Sequence, residues 1–424
     1  MGKIFGPITA LLLGAAILLV GGGIQGLLIP VRAGLEGFAP QLIGLLSSGY
    51  SIGFVLGCLL APHIVQRVGH IRTFAVLAAI ASSLAIIFAL AVNPITWIGL
   101  RIWSGFCFSG LFMVIESWLN ERSTNENRGQ IFSAYMIINF AATTCGQMML
   151  PLAQPLEFTL FAMTGVAIAW ALIPVGLTKS VAPNPIAQVR LRLRRLYQTS
   201  PVGVVGAFAV GVANGSFGGL GAIYGQRLGL STTGVALFMS AAVVGGALSQ
   251  YPVGRLSDRI DRRYVILGSG LAASAMAGVL IAAAVTGWLG DGAINWPLIA
   301  LGLVFGACAY PLYGLCVAHT NDFVDRSGFV EASSGLLLTW GLGATLGPPL
   351  AATAMQAMGA GGLFAFTACV HCLLAVFAGY RMTRRAALPP EAREDFVAFG
   401  VIRSTPEAMG LDPRAPDSSA DPEP

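Results

Sequence analysis

The sequence predicts an all-α membrane protein, with twelve transmembrane helices in two pseudo-symmetric six-helix bundles. Three observations carry that prediction. First, the 424 residues are 55% hydrophobic and only 10% charged, with a mean hydropathy of +0.76. A soluble domain carries about 25% charged residues, so a water-soluble enzyme would lack its polar skin, and a long disordered chain is excluded as well. Second, apolar runs of bilayer length recur along the chain; a hydrocarbon core of about 30 Å takes roughly 20 helical residues. Third, the basic residues fall almost wholly on one side of those runs.

The runs are 6–30, 41–65, 73–92, 96–119, 130–153, 158–178, 201–226, 231–254, 264–287, 294–319, 330–355 and 360–382. The first begins like a signal peptide, with Lys3 before an apolar stretch. It runs past the about 7–15 residues of a signal h-region, so it is expected to remain as an uncleaved helix. The narrowest break is at Asn93-Pro94, and the polar stretch Asn120 to Arg128 is a clear one. With the N-terminus in the cytoplasm, the inner loops hold eighteen Lys and Arg residues, and the outer loops hold only Arg32 and Arg227. A single missed span would scramble that split. Both termini are therefore expected to be cytoplasmic, in a bacterial inner membrane.

Four regions follow: a first bundle over 1–178, a basic linker over 179–200, a second bundle over 201–385 and a tail over 386–424. The linker carries Arg190, Arg192, Arg194 and Arg195 on an amphipathic segment and is expected to lie on anionic headgroups. The tail holds seven prolines and eight acidic residues and is expected to be disordered. The net charge of +5 comes from short loops and does not signal a nucleic-acid partner. The seven cysteines sit in apolar runs and read as packing residues. Cys369-Val370-His371-Cys372 splays around one helix, so no metal is expected there, and no cofactor elsewhere. No phosphate-binding Gly-x-x-x-x-Gly-Lys motif occurs, so ATP is not the energy source.

The halves repeat. An offset of 201 residues places Gly105 on Gly306, Asn120-Glu121 on Asn321-Asp322, Ser133 on Ser334, Thr144 on Thr345 and Gly146 on Gly347. An offset of 192 pairs Gly53 with Gly245, Leu56 with Leu248 and Arg67 with Arg259. Two like-oriented bundles with a cavity between them follow.

Between spans 8 and 9 the chain reads Gly254-Arg255-Leu256-Ser257-Asp258-Arg259-Ile260-Asp261-Arg262-Arg263. This resembles the Gly-x-Leu-x-Asp-Arg-x-Gly-Arg-Arg loop of the major facilitator superfamily, with Asp261 at the usual glycine. The first-half copy, His63 to Arg72, has Gln66 in place of the aspartate. Arg101 to Gly105 is similar to the family's Arg-x-x-x-Gly motif of span 4, whereas span 5 lacks a clear Gly-Pro motif. The resemblance covers residues 1–385 and points to a poorly characterised bacterial permease branch. It implies a secondary transporter working by alternating access, with proton-linked efflux as the favoured coupling and a small-molecule substrate, acting as a monomer. The rival reading is a non-transporting membrane receptor on the same scaffold.

The resemblance assigns Gly254, Asp258, Arg259, Arg262 and Arg263 to a gating latch. It also places spans 1, 4, 7 and 10 around the cavity. The candidate cavity residues are Gln25, Arg101, Asn139, Asn214, Tyr310, Tyr313 and Trp340. Most of these are intramembrane polar groups, which need a partner or a cavity; the tyrosines and Trp340 add amphipathic rings. Arg101 and Glu116 form a candidate proton relay, although Glu116 near the inner end of span 4 reads first as a structural partner of Arg122 or Arg128. A largely apolar pocket with few polar points suits a small amphipathic organic solute.

Overall fold

The computed structural model describes residues 8–124, 126–177, 192–287, 292–325, 328–389, 393–397 and 405–413. The described chain folds into twelve helical rods. They are α1 (Thr9–Leu35), α2 (Pro40–Val68), α3 (His70–Leu90), α4 (Pro94–Glu121), α5 (Arg128–Met148) and α6 (Thr159–Gly176), then α7 (Pro201–Arg227), α8 (Thr232–Arg259), α9 (Arg262–Thr286), α10 (Trp296–Asn321), α11 (Phe329–Met358) and α12 (Gly362–Met382). Ten are long and apolar enough to cross a membrane; α5 and α11, which are related by the internal repeat, fall outside that set. No strand occurs among the described residues.

Local chemistry sets the breaks. Asn93 caps α4, accepting hydrogen bonds from the backbone N–H groups of Ile95 (3.0 Å) and Thr96 (3.2 Å), with Pro94 opening the helix. The narrow Asn93-Pro94 break is therefore a true helix boundary. Ser200, Ser231, Asp261 and Asn295 cap α7, α8, α9 and α10 in the same way. Gly69, at φ 86°, makes the one-residue turn between α2 and α3.

The repeat is visible in backbone approaches. A Cβ on Gly53 would lie 1.8 Å from the Ile102 carbonyl oxygen, and one on Gly245 would lie 2.0 Å from that of Leu303. Likewise, Gly105 faces Tyr50 O and Gly306 faces Ala242 O, each at 2.0 Å. These neighbours are related by the same offsets as the glycines, so α2–α4 and α8–α10 pack as copies of one another. Small residues permit such closeness between membrane helices.

The two halves meet at the end remote from the Gly254–Arg263 loop. Ser48 donates to Thr345 O at 2.5 Å, and Gln41 bonds to Gln356, joining α2 to α11. Ser240 of α8 donates to Gln147 of α5 at 3.1 Å, and Gln226 of α7 donates to Val31 O of α1 at 3.1 Å. This end, the far end, is closed by direct contact between the halves.

At the opposite, loop-bearing end the tail fills the space between them. The expectation of a disordered tail is corrected for its described parts. Residues 406–411 form a 3-10 turn (Pro406–Leu411) in which Ala408, Met409 and Leu411 are buried against α4, α5 and α11. Averaged over the whole tail, prolines and acids hide this short apolar run. Of the linker, the short helix Leu193–Thr199 is described; residues 178–191 lie outside the described set. Leu196 is buried beneath Gly335 of α11, so this part packs on protein and does not merely lie on headgroups.

Candidate functional site

A cavity of about 200 Å³ lies between the halves, walled by α1, α2, α4, α5, α7, α8, α10 and α11. Of the seven candidate residues, Gln25, Arg101, Asn214, Tyr310 and Trp340 line it. Asn139 and Tyr313 do not; they are 1% exposed and sit in the packing of α5 and α10. Arg101 is the only charged residue among the described residues of the wall. At 7% exposure it does not snorkel outward. Its Nε donates to Leu46 O at 3.3 Å, and its guanidinium carbon lies 4.4 Å from the centre of the Tyr50 ring.

Three buried donors on wall residues, Gln25 Nε2, the Thr143 hydroxyl and Trp340 Nε1, have no hydrogen-bond partner among the described residues. Buried donors are costly when left unpaired. Phe54, Val55, Phe108, Phe140 and Leu337 supply apolar wall. Sequence reasoning missed Tyr50, the ring partner of Arg101. An aromatic in span 2 carries no charge or motif, and only the packing of α2 on α4 brings the two together.

The Gly254–Arg263 segment forms a separate charge network at the loop-bearing end. Arg262 is 1% exposed. It donates through Nη1 to Asp258 Oδ1 (2.9 Å) and to Ser257 Oγ (2.9 Å), through Nε to Asp322 Oδ2 (2.8 Å), and through Nη2 to Glu394 O. Of the four arginines around it, Asp258 pairs with Arg262 at 2.9 Å, while Arg259 is exposed at the end of α8. Asp322, the repeat mate of Glu121, completes the pair. Burial raises its pKa, and this outweighs the opposing pull of Arg262.

Asp261, at the position where the resemblance expects glycine, caps α9 and pairs with Arg263 at 2.7 Å. Burial works against its charge, but hydrogen bonds and charge from Arg263 outweigh that and hold its pKa below the ordinary carboxylate value. Arg263 also donates to Arg385 O at 2.7 Å, tying α9 to the end of α12.

Glu116 sits fully buried in α4. It accepts from the Tyr135 hydroxyl of α5 at 2.8 Å, from the Thr405 backbone N–H at 3.0 Å and from the Thr405 hydroxyl. Arg101 and Glu116 stand fifteen positions apart on one helix, a rise of about 22 Å, so they do not touch.

The sequence pattern of the Major Facilitator Superfamily matches residues 11–289 and, overlapping, 203–411. The chain belongs to the Major Facilitator Superfamily. An uncharacterized MFS-type transporter of Enterobacter sp. (strain 638) is 29% identical over 359 residues, covering 82% of this chain and 89% of that protein. The uncharacterized MFS-type transporter YcaD of Escherichia coli O139:H28 is 27% identical over 369 residues, with the same two coverages of 82% and 89%. Among solved structures, the nucleoside transporter NupG superposes with a TM-score of 0.72 at 12% identity, covering 89% of this chain and 97% of that one. A bacterial homolog of the human lysosomal transporter Spinster, in an inward-facing and unoccupied conformation, superposes with a TM-score of 0.70 at 12% identity, covering 91% and 98%. At such identities the structural likeness shows the superfamily fold alone. The fold and the bacterial relatives make this a multi-pass inner-membrane protein of the transporter class.

Proposed function

We propose that this chain is a secondary transporter that moves a small amphipathic organic solute by alternating access between its two six-helix halves. The observation that carries this reading is the wall of the central cavity, where one buried guanidinium and three residues with unpaired donors are set in otherwise largely apolar surface. Such a wall suits a solute with an apolar body and one acceptor group, such as a carboxylate or carbonyl. It disfavours a multiply charged solute, which would need further basic groups at the same depth.

In this reading the loop-bearing end faces the cytoplasm, as the distribution of Lys and Arg supports, and the closed far end faces the periplasm. Alternating access then requires the α2–α11 and α5–α8 contacts at the far end to part. Exchange for protons is the coupling we favour, with export as the direction; the span-4 arginine supports it. Glu116 belongs to the relay only in a state that exposes it to water, since here it is sealed by Tyr135 and Thr405.

Flux in proteoliposomes tests the proposal, using a panel of labelled aromatic and aliphatic monocarboxylates, with and without a pH gradient. Uptake that saturates, responds to the gradient and falls at least about tenfold in Arg101→Ala, with Arg101→Lys intermediate, is expected; one lost charge-assisted hydrogen bond is worth about that much. Flux indifferent to Arg101 would remove the site from the reading.

A further inference from the structure

The described parts of the tail make specific contacts with both halves of the molecule. Over residues 393–397 the chain runs along the second half. Arg393 donates to Ile260 O at 2.8 Å, the Glu394 N–H donates to Asp322 Oδ1 at 3.1 Å, and the Phe396 N–H donates to Asp258 Oδ1 at 2.9 Å. The Phe396 ring fills the space left by two glycines: a Cβ on Gly254 would lie 2.1 Å from it, and one on Gly314 would lie 3.0 Å from it. Over residues 405–413 the chain has crossed to the first half. Thr405 donates twice to Glu116, Gly410 lies against the Asn120 side chain, and Pro413 lies against Gly129. Met409 and Leu411, 2% and 0% exposed, join the apolar cluster that contains Ile115 and Leu119 of α4 and Leu336 and Leu337 of α11.

This cluster lies directly below the cavity. Leu337 belongs to both the cluster and the cavity wall. The far end is shut by helix-to-helix contact, so the tail occupies the space through which the cavity would open at the loop-bearing end. Three carboxylates hold it there: Asp258, Asp322 and Glu116. All three accept backbone N–H groups of the tail, which a freely moving chain would offer to water instead.

We propose that the crevice between the two halves at the loop-bearing end is a binding site for the chain's own residues 393–397 and 405–413, and that this strap blocks the cavity mouth until it is released. The strap couples the two halves, because one end is bonded to the latch acids of the second half and the other to Glu116 of the first. Rocking of the halves at this end therefore requires the strap to leave at least one of its anchors. Gly254 and Gly314 acquire a role as the seat of Phe396. Glu116 acts as a docking acceptor, which accounts for a buried carboxylate that faces away from the cavity.

The test reads accessibility, so it needs no solute and stands or falls apart from the transport reading. Full-length protein in lipid nanodiscs is exposed to a charged maleimide, with labelling of the seven natural cysteines measured on the parent chain and subtracted. Met409→Cys reports the strap and Asn214→Cys reports the cavity. Both are expected to label slowly. Adding Thr405→Asp, which sets a carboxylate against Glu116, is expected to speed both by at least about tenfold, whereas Thr405→Ser leaves both slow. Gly410→Leu, whose Cβ would lie 2.0 Å from Asn120 Nδ2, provides a second release by a steric route. Deletion of 398–424, which removes Met409 and is read at Asn214→Cys alone, provides a third. Two results would overturn the proposal: Met409→Cys labelling as fast without Thr405→Asp as with it, or a freed strap that leaves Asn214→Cys as slow as before.

Discussion

Arg262 carries more of the latch than any other residue of the segment. It bonds to two carboxylates, a serine and a tail carbonyl from a site that is almost fully closed to solvent. Removing one partner of a buried pair leaves an uncompensated charge, at a cost of about 3–5 kcal/mol. Arg262→Ala is therefore expected to lower the thermal midpoint of the purified protein by several degrees. Arg259→Ala, at an exposed site, should leave it nearly unchanged. Equal effects from the two substitutions would show that the network is not organised around Arg262. The segment's residues were readable from their spacing, and so was the presence of one acid among four arginines. Which arginine takes Asp258 was not, because that depends on Asp322 arriving from α10 sixty positions away.

The helices are held at their closest points by glycine, and the repeat makes those points predictable in pairs. Gly53→Leu and Gly245→Leu each place a side chain where a neighbouring carbonyl oxygen already sits. Overpacking of this kind costs about 1–3 kcal/mol or more. Both variants are expected to lose thermal stability by similar amounts, as measured by size-exclusion recovery after heating, while Gly99→Ala, with open space at its Cβ, is expected to be neutral. A strongly unequal pair would contradict equivalent packing of α2–α4 and α8–α10. The place of α5 and α11 outside the ten most apolar rods also belongs to this scale. A cavity face does not account for it, since α1, α2, α4, α7, α8 and α10 share the cavity wall and are all apolar enough to span.

For the molecule as a whole, the strap adds a dependence on pH. Burial pushes the Glu407 carboxyl from 4.5 up to about 7 when the strap is docked. A pKa raised in the docked form favours docking while the group is protonated. That contribution is complete below the ordinary value near 4.5 and is lost as pH rises through about 7. The Glu116 carboxylate is a nearby acid whose charge opposes that of Glu407. Met409→Cys is therefore expected to label faster at about pH 8 than at about pH 6, after correction for thiolate fraction on a model peptide. Glu407→Gln should remove the difference. A difference that survives Glu407→Gln would assign the titration to another group.

The sequence by itself determined the membrane class, the rod boundaries, the repeat and the family motif. Each of these is a local or periodic property: apolar length, capping residues, loop charge, and spacing at offsets of 192 and 201. It also marked five residues that reach the cavity, Gln25, Arg101, Asn214, Tyr310 and Trp340, since a polar group inside lipid needs a reason to be there. The tertiary structure decided which of them share a wall. Asn139 and Tyr313 lie one turn along from the wall residues Thr143 and Tyr310 but are closed over by packing, which only the neighbouring helices set. It also decided the fate of the tail. Four apolar side chains among prolines and acids bury little surface by themselves, and they become ordered only because Asp258, Asp322 and Glu116 lie close enough to receive the backbone between them.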